Sequence, residues 1–236
     1  LCMAGFCNDK FYSVMPNLKE AQLIYADGYT PVEDLAIRYF PFYNYPDSVF
    51  LDERFMYKDL ADNDLFHTMA NSYFIECSPD GKFDETMHVT LSLDRGEENA
   101  LVTGIYEHDG IRSVYKKAVY SEGMKKLYEM QDNLDELRGR GISVVQSKIE
   151  NDKFVMPYVD KPVALVALRE IAKKDKEAFF DALNDLYELI LSSSEHTDIV
   201  NEKDRNSANG KDMGVILSKG YIDMVALNCF YDETIE

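Results

Sequence analysis

The sequence predicts an α+β protein built in two successive parts, and three observations carry that prediction. Between residues 84 and 160 the apolar pattern runs as three strands, one helix and two strands. From 163 to 193 the period becomes that of helices, with Phe179, Leu183, Leu186, Leu189 and Ile190 at core spacing. Ahead of both, Ser78-Pro79-Asp80-Gly81 is the strongest break in the chain. It divides residues 1–78, which read as the tail of an α/β unit, from residues 79–236.

Taken in order, Ala4-Gly5 reads as the end of a helix closed by glycine, and residues 11–15 as a strand broken by Pro16. A long insertion rich in Tyr and Pro follows (Pro31, Pro41, Pro46). Its aromatics Tyr25, Tyr29, Tyr39, Tyr43 and Tyr45 suit core and inter-module packing better than the wall of a sugar site. Asp52 can cap a helix running to about Asn63, with Phe55, Met56 and Leu60 on its buried stripe, and residues 72–77 form a strand.

Beyond the break, residues 88–93 alternate, placing Val89, Leu91 and Leu93 on one face. Residues 94–99 are a polar turn, 101–107 a second strand, Asp109-Gly110 a tight hairpin turn and 111–119 a third strand. Ser121 can cap a helix through about Arg138, with Met124, Leu127, Leu134 and Leu137 inward and Gly139 and Gly141 ending it. Strands at 142–149 and 154–159 flank a turn at Asn151-Asp152. Helices at 163–173 and 176–193 precede a polar loop over 195–212. The chain opens on Leu1 and closes in what reads as a hairpin with Asp232-Glu233 at its turn. Both ends therefore read as cuts inside structured elements, and the expectation is an internal piece of a longer protein.

Composition narrows the function classes. A chain of 236 residues with 46% hydrophobic side chains can bury a sizeable core. Asp+Glu 43 against Lys+Arg 25 leaves a formal net charge of -18, which argues against a general binder of nucleic acid or anionic membrane, since phosphate surfaces need a positive field. No apolar run approaches the roughly 20 residues of a transmembrane helix. Cys2, Cys7, Cys77 and Cys229 form no C-x-x-C pair and have no histidine at metal spacing, so they read as reduced cysteines of a cytosolic protein. His67, His88, His108 and His196 are scattered and read as surface or structural residues.

The chemistry-bearing signals are few. The run from Gly220 to Tyr231 carries Asp223-x-x-x-x-Asn228 ahead of an apolar stretch. On the third strand, Val114, Lys116 and Ala118 share one face, and Tyr115 and Lys117 the other. A lysine between small apolar neighbours favours Lys116 as a phosphate-binding cation, with Lys117 the alternative after a one-residue slip. The following helix offers Glu129 near its middle as an acidic partner, with Glu122 and Glu136 nearer the ends. The turn between the first two strands holds Gly96 alone, within Asp94-Arg95-Gly96-Glu97-Glu98-Asn99.

With these residues in place, 84–236 resembles a kinase-like phosphotransferase of the kind found in bacterial cell-surface polysaccharide synthesis: a small lobe over 84–160, with an antiparallel five-stranded sheet plus one helix, and an incomplete helical large lobe over 161–236. The resemblance implies phosphoryl transfer from Mg·ATP to a sugar or glycan hydroxyl. Asp223 would accept the hydroxyl proton, Asn228 would hold Mg²⁺, Lys116 would bind the phosphates and Glu129 would steady it. Gly96 would lie in the phosphate-covering turn, and Met156 and Tyr158, in Met156-Pro157-Tyr158-Val159, would touch adenine. Tyr221 stands where protein kinases have His, and a single glycine replaces G-x-G-x-x-G. Residues 1–78 resemble the last helix and strand pair of a class I S-adenosylmethionine-dependent methyltransferase, through Ala4-Gly5-Phe6, the strand at Phe11 and Asn71-Ser72-Tyr73-Phe74-Ile75. The cofactor site of such a domain lies in its first half, so it is absent from this chain. The pairing implies a cytoplasmic protein, at most peripheral at the inner membrane face, with nucleotide and glycan partners and no nucleic acid. The alternative is a non-catalytic kinase-like binding module attached to a methyltransferase. The oligomeric state is not legible.

Overall fold

A computed structural model describes residues 5–6, 8–30, 35, 39, 41, 45–197, 214–232 and 234–235. The chain divides into two compact units: Leu1–Gln131 with Gln146–Tyr158, and Asp132–Val145 with Val159–Glu236.

The first unit is organised by one antiparallel sheet of eight strands: β1 (Asn8–Met15), β2 (Leu23–Ala26), β3 (Ser72–Ser78), β4 (Thr86–Ser92), β5 (Leu101–His108), β6 (Ile111–Ala118), β7 (Lys148–Glu150) and β8 (Lys153–Pro157). Their spatial order is β3-β1-β2-β4-β5-β6-β8-β7. The five strands expected after residue 84 are therefore part of a larger sheet. Leu23, Ile24 and Tyr25 of β2 pair with Thr90, Val89 and His88 of β4, so the Ser78–Gly81 break, which leads from β3 to β4 across two intervening strands, does not separate two sheets.

Two hairpin turns have a plain cause. Asp109-Gly110 and Asn151-Asp152 all have positive φ, the conformation a two-residue hairpin needs to match the strand twist, and Gly, Asn and Asp tolerate it best.

The core of this unit is aromatic. Met15, Leu23, Tyr25, Tyr29, Leu35, Tyr39, Tyr57 and Phe66 form one buried cluster. Tyr25 stacks on His88 at 4.3 Å and meets Phe66 edge-on at 5.4 Å. His88 is fully engaged, with Nδ1 at 3.0 Å from the Ile24 carbonyl and Nε2 at 3.0 Å from Thr90 Oγ1, which makes it a structural residue. Of the five insertion tyrosines, Tyr25, Tyr29 and Tyr39 are core and Tyr45 is exposed, whereas Tyr43 lies outside the described residues. The helix expected over 52–63 is shorter and differently phased. A 3₁₀ turn at Glu53–Phe55 is followed by α1 (Tyr57–Asp62). Asp52 does cap, accepting from the Arg54 amide, but Phe55 and Met56 face solvent while Tyr57 enters the cluster. The extra 3₁₀ turn rotates the face that meets the core.

Helix α2 (Met124–Gly139) follows a 3₁₀ turn at Ser121–Gly123. Leu127 and Leu137 are buried, Met124 and Leu134 partly so. The helix starts against the sheet because Gly123 has no side chain: a Cβ there would come within 3.0 Å of the Ala118 Cβ. The strand expected over 142–149 is confined to β7; Gly141, at φ +84°, ends the helix and residues 142–147 form no ladder.

The second unit is helical. Helices α3 (Ala164–Lys174) and α4 (Lys176–Ser192) lie within a residue or so of the expected spans, split at Asp175, whose carboxylate accepts from the Glu177 and Ala178 amides. Ala164, Leu168, Ala182, Cys229 and Ile235 form its core, with Phe179, Leu186 and Leu189 packed against them. Leu183, expected inside, is exposed, and Ala182 takes its place; a small residue permits close approach of the α3 and α4 backbones. The expected terminal hairpin pairs β9 (Tyr231–Asp232) with β10 (Thr234–Ile235). Of the expected polar loop, residues 198–212 lie outside the described residues.

Two predictions follow from the first unit. In the β5–β6 ladder Gly104 faces Tyr115, and a Cβ on Gly104 would fall 2.3 Å from the ring. Gly104→Ala should cost about 1–3 kcal/mol in urea unfolding, and markedly less in a Tyr115→Leu background. Separately, burial holds the His67 pKa below its ordinary value, with the Asp27 charge opposing, while Ser13 Oγ sits 2.8 Å from His67 Nδ1. A depressed histidine pKa means the unfolded chain binds the proton first. Stability should therefore fall as pH drops below about 6.5. In His67→Gln, thermal unfolding between pH 7.5 and 5.5 should show a smaller decline than in the wild type.

Candidate functional site

The residues singled out from the sequence divide between the two units. Gly96, Lys116, Glu129, Met156 and Tyr158 belong to the first, Asp223 and Asn228 to the second.

In the first unit the ladder register fixes which way each strand residue points. Lys116 lies opposite Thr103 on β5 and Phe154 on β8, on the face it shares with Val114 and Ala118. Phe154 is buried and Ala118 meets the start of α2, so Lys116 is the lysine on the packed side. Lys117 is exposed on the opposite side, in register with Val102 and Lys153. That side also carries Tyr106 and Tyr115, with ring centres 6.0 Å apart and Lys153 Nζ 4.5 Å above Tyr115.

Glu129 is half exposed and makes a 3.5 Å ion pair with Lys125, one turn back on α2. Met156 pairs with Val114 across the β6–β8 ladder, and the Tyr158 amide donates to the Arg112 carbonyl at 3.2 Å, with the Arg112 guanidinium 5.9 Å from the Tyr158 ring. The Gly96 turn closes on itself: the Gly96 carbonyl accepts from the amides of Asn99, at 2.7 Å, and Ala100, at 3.0 Å. The Glu98 carboxylate lies 2.9 Å from where a Gly96 Cβ would sit. The turn therefore places a carboxylate directly beside Gly96.

In the second unit, residues 221–229 are a sequence of turns leading to β9. Met224 N donates to the Tyr221 carbonyl, Val225 N to Asp223, and Asn228 N to Val225, at 2.8–2.9 Å. The Asn228 carboxamide donates from Nδ2 to the Asp223 carbonyl at 3.0 Å, so the two residues of the motif are tied together within the loop. Both side chains reach solvent.

The loop is anchored at its far end by helix α3. The first amides of an α-helix have no partner within the helix. Here Ala164 N donates to the Cys229 carbonyl at 2.8 Å and Leu165 N to Ala226 at 2.9 Å. Just outside, Tyr231 N donates to the Pro162 carbonyl and Lys161 pairs with Asp232 at 2.8 Å. At its near end the anchors are residues the sequence reading did not assign. Lys219 Nζ reaches Glu136 at 2.5 Å and Asn133 at 2.9 Å, and lies 4.7 Å from the Tyr221 ring centre. Glu136, weighed from the sequence as a partner for Lys116, is thus bound to Lys219. The sequence signal was slight, since a lysine 83 residues from a helical glutamate announces nothing. Among the described residues, no three His, Cys, Asp or Glu side chains converge on a metal-sized space.

If the Asn228 carboxamide closes the loop, Asn228→Ala removes one neutral hydrogen bond, worth about 0.5–1.5 kcal/mol. Hydrogen exchange of the Val225 and Asn228 amides should then quicken by roughly threefold to tenfold, with exchange in β5 and β6 unchanged. Asn228→Asp, which cannot donate, should do the same. Comparison of the chain with protein-family models, with curated proteins and with solved structures found no match in any of the three.

Proposed function

We propose that the chain carries a kinase-like phosphotransfer module that uses Mg·ATP to phosphorylate a sugar or glycan hydroxyl in cell-surface polysaccharide synthesis. One observation carries the reading. Strands β4, β5 and β6, helix α2, then β7 and β8 follow one another in the order of a kinase-like small lobe, with all five strands contiguous and antiparallel in the sheet. Lys116 sits on the third of those strands, on the side of Ala118 and the start of α2. A helical unit follows, with the Asp223–Asn228 loop beyond its two helices.

On this reading Lys116 binds phosphate oxygens, Met156 on β8 and Tyr158 just past it border the adenine, and Asp223 takes the acceptor proton. Glu129 would have to leave Lys125 to steady Lys116, and the intervening pair is exposed and weak. Mg²⁺ commonly takes only one or two protein oxygens, the rest coming from water and phosphates. With Nδ2 of Asn228 committed to the Asp223 carbonyl, its Oδ1 is the oxygen offered for that role. Residues 1–78, which resemble a methyltransferase tail in sequence, contribute β1, β2 and β3 to the same sheet as β4–β8, and the phosphotransfer reading does not depend on that resemblance.

A second reading, a non-catalytic binding module, is favoured by the Gly96 turn. One glycine stands where a phosphate-covering loop needs several, beside the Glu98 carboxylate. Thermal unfolding of the full chain with millimolar Mg·ATP separates the two. Phosphotransfer predicts a rise in Tm, equivalent to about 2.7 kcal/mol at a hundredfold excess over Kd, abolished in Lys116→Met. Asp223→Asn should keep the rise and lose ATP turnover. A folded chain whose Tm ignores Mg·ATP, and which turns over none, would overturn phosphotransfer in favour of the binding module.

A further inference from the structure

Lys219 is the junction of three contacts within the second unit. Its backbone amide donates to Ser194 Oγ at 2.9 Å, just past the end of α4. Ser194 is buried and its hydroxyl also lies 2.8 Å from Ser218 Oγ. The segment before Lys219 runs antiparallel to residues 195–197, with Ser218 N on the Glu195 carbonyl and Thr197 N on Ile216. The ammonium group bonds Glu136 and Asn133, one turn apart on the second half of α2. Tyr221 packs beneath the same ammonium, and its hydroxyl is buried. Glu136 and Tyr221 both act on Lys219 to raise its pKa, while Lys219 lowers that of Glu136.

The Asp223 loop is therefore pinned at both ends. At 226–229 its carbonyls bind the α3 amides, backbone contacts that any sequence could make. At 219–221 it is held by a charged side chain reaching a different helix. Such a contact has a choice that the backbone contacts lack, because Lys219 can release Glu136 without unfolding anything else. Both ends of the ion pair are about two-fifths exposed, so solvent and other ions can compete for them.

We propose that Lys219 is a positioning residue, and that its clamp on Glu136 and Asn133 sets the place of the Asp223–Asn228 loop according to the position of α2. The catalytic consequence rests on the phosphotransfer reading, but the clamp does not. With the clamp closed, the Asp223 backbone is held from both sides. With it open, the loop keeps its α3 contacts and the bonds of residues 216–219 to 194–197, and residues 220–225 between them sample a wider range of positions.

The test uses the full chain and hydrogen exchange read by mass spectrometry. Lys219→Met and Glu136→Gln should each speed exchange of the 221–228 amides by roughly twofold to fivefold, leaving α4 at its wild-type rate. The reversed pair, Lys219→Glu with Glu136→Lys, should restore slow exchange, a rescue that simple loss of packing would not show. Wherever ATP turnover is measurable, the single variants should lower kcat without changing KM for ATP. Unchanged loop exchange in both single variants, faster exchange spread equally through α4, or a reversed pair as fast as the singles would each overturn the clamp. Absence of ATP turnover would overturn only the phosphotransfer reading, since the exchange measurement decides the clamp without it.

Discussion

The register of β6 between β5 and β8 is the constraint on which the first unit depends. Side chains on a strand alternate between faces, so a slip of one residue would exchange every inward group for an outward one. The ladder runs without a break from Leu101↔Ala118 to His108↔Ile111, and on the other side from Ser113↔Pro157 to Lys117↔Lys153. What holds it is steric as well as hydrogen-bonded. Tyr115 lies across Gly104, where a Cβ would collide with its ring, and Lys153 Nζ sits 4.5 Å from the ring centre. Ala118 comes close enough to Gly123 to seat the start of α2. Both small residues are placed by the same register, and so is Lys116.

In the second unit the governing requirement is that buried backbone groups find partners. The N-terminus of α3 has amides that its own turns cannot satisfy, and the loop after α4 has carbonyls that no helix or sheet uses. Each meets the need of the other, which is how a stretch with hardly any regular structure holds a defined shape. The partial positive charge at a helix N-terminus favours the same arrangement. The Asp223–Asn228 pair inherits its order from these bonds and from the clamp at Lys219. Neither side chain is buried; the backbone around them and the bond from Asn228 Nδ2 to the Asp223 carbonyl do the holding.

Charge gives the molecule its bias. A chain at -18 repels anions at long range, so a site for a nucleotide has to be made by local cations. On the phosphotransfer reading Lys116, on the packed side of the sheet, would be such a cation, whereas Lys117 and Lys153 share the other side with Tyr106 and Tyr115. The Gly96 turn works against phosphate through the nearby Glu98 carboxylate. The two readings of function differ in which of these local fields prevails.

Much of the fold was legible in the sequence wherever the signal was local. The 2.0 and 3.6 periods placed β4, β5, β6, α2, α3 and α4 to within a few residues. Asp109-Gly110 and Asn151-Asp152 announced their turns because few residues accept positive φ, and Asp52 announced its cap through a side chain that reaches a following amide. The misses share a cause. Phe55, Met56 and Leu183 are outward, and Tyr57 and Ala182 inward, because the surrounding core selects which helical phase is buried, and periodicity cannot rank two neighbouring stripes. Residues 142–147 look like a strand yet find no partner strand. The motif Asp223-x-x-x-x-Asn228 was visible as spacing, and alternation put Lys116 with Val114 and Ala118. That β2 would join β4 across the Ser78–Gly81 turn, and that Glu136 would take Lys219, could not be read from either segment alone. Pairing between segments so far apart in the sequence depends on which edges and charges are left free once the local elements have formed, and only the assembled chain decides that.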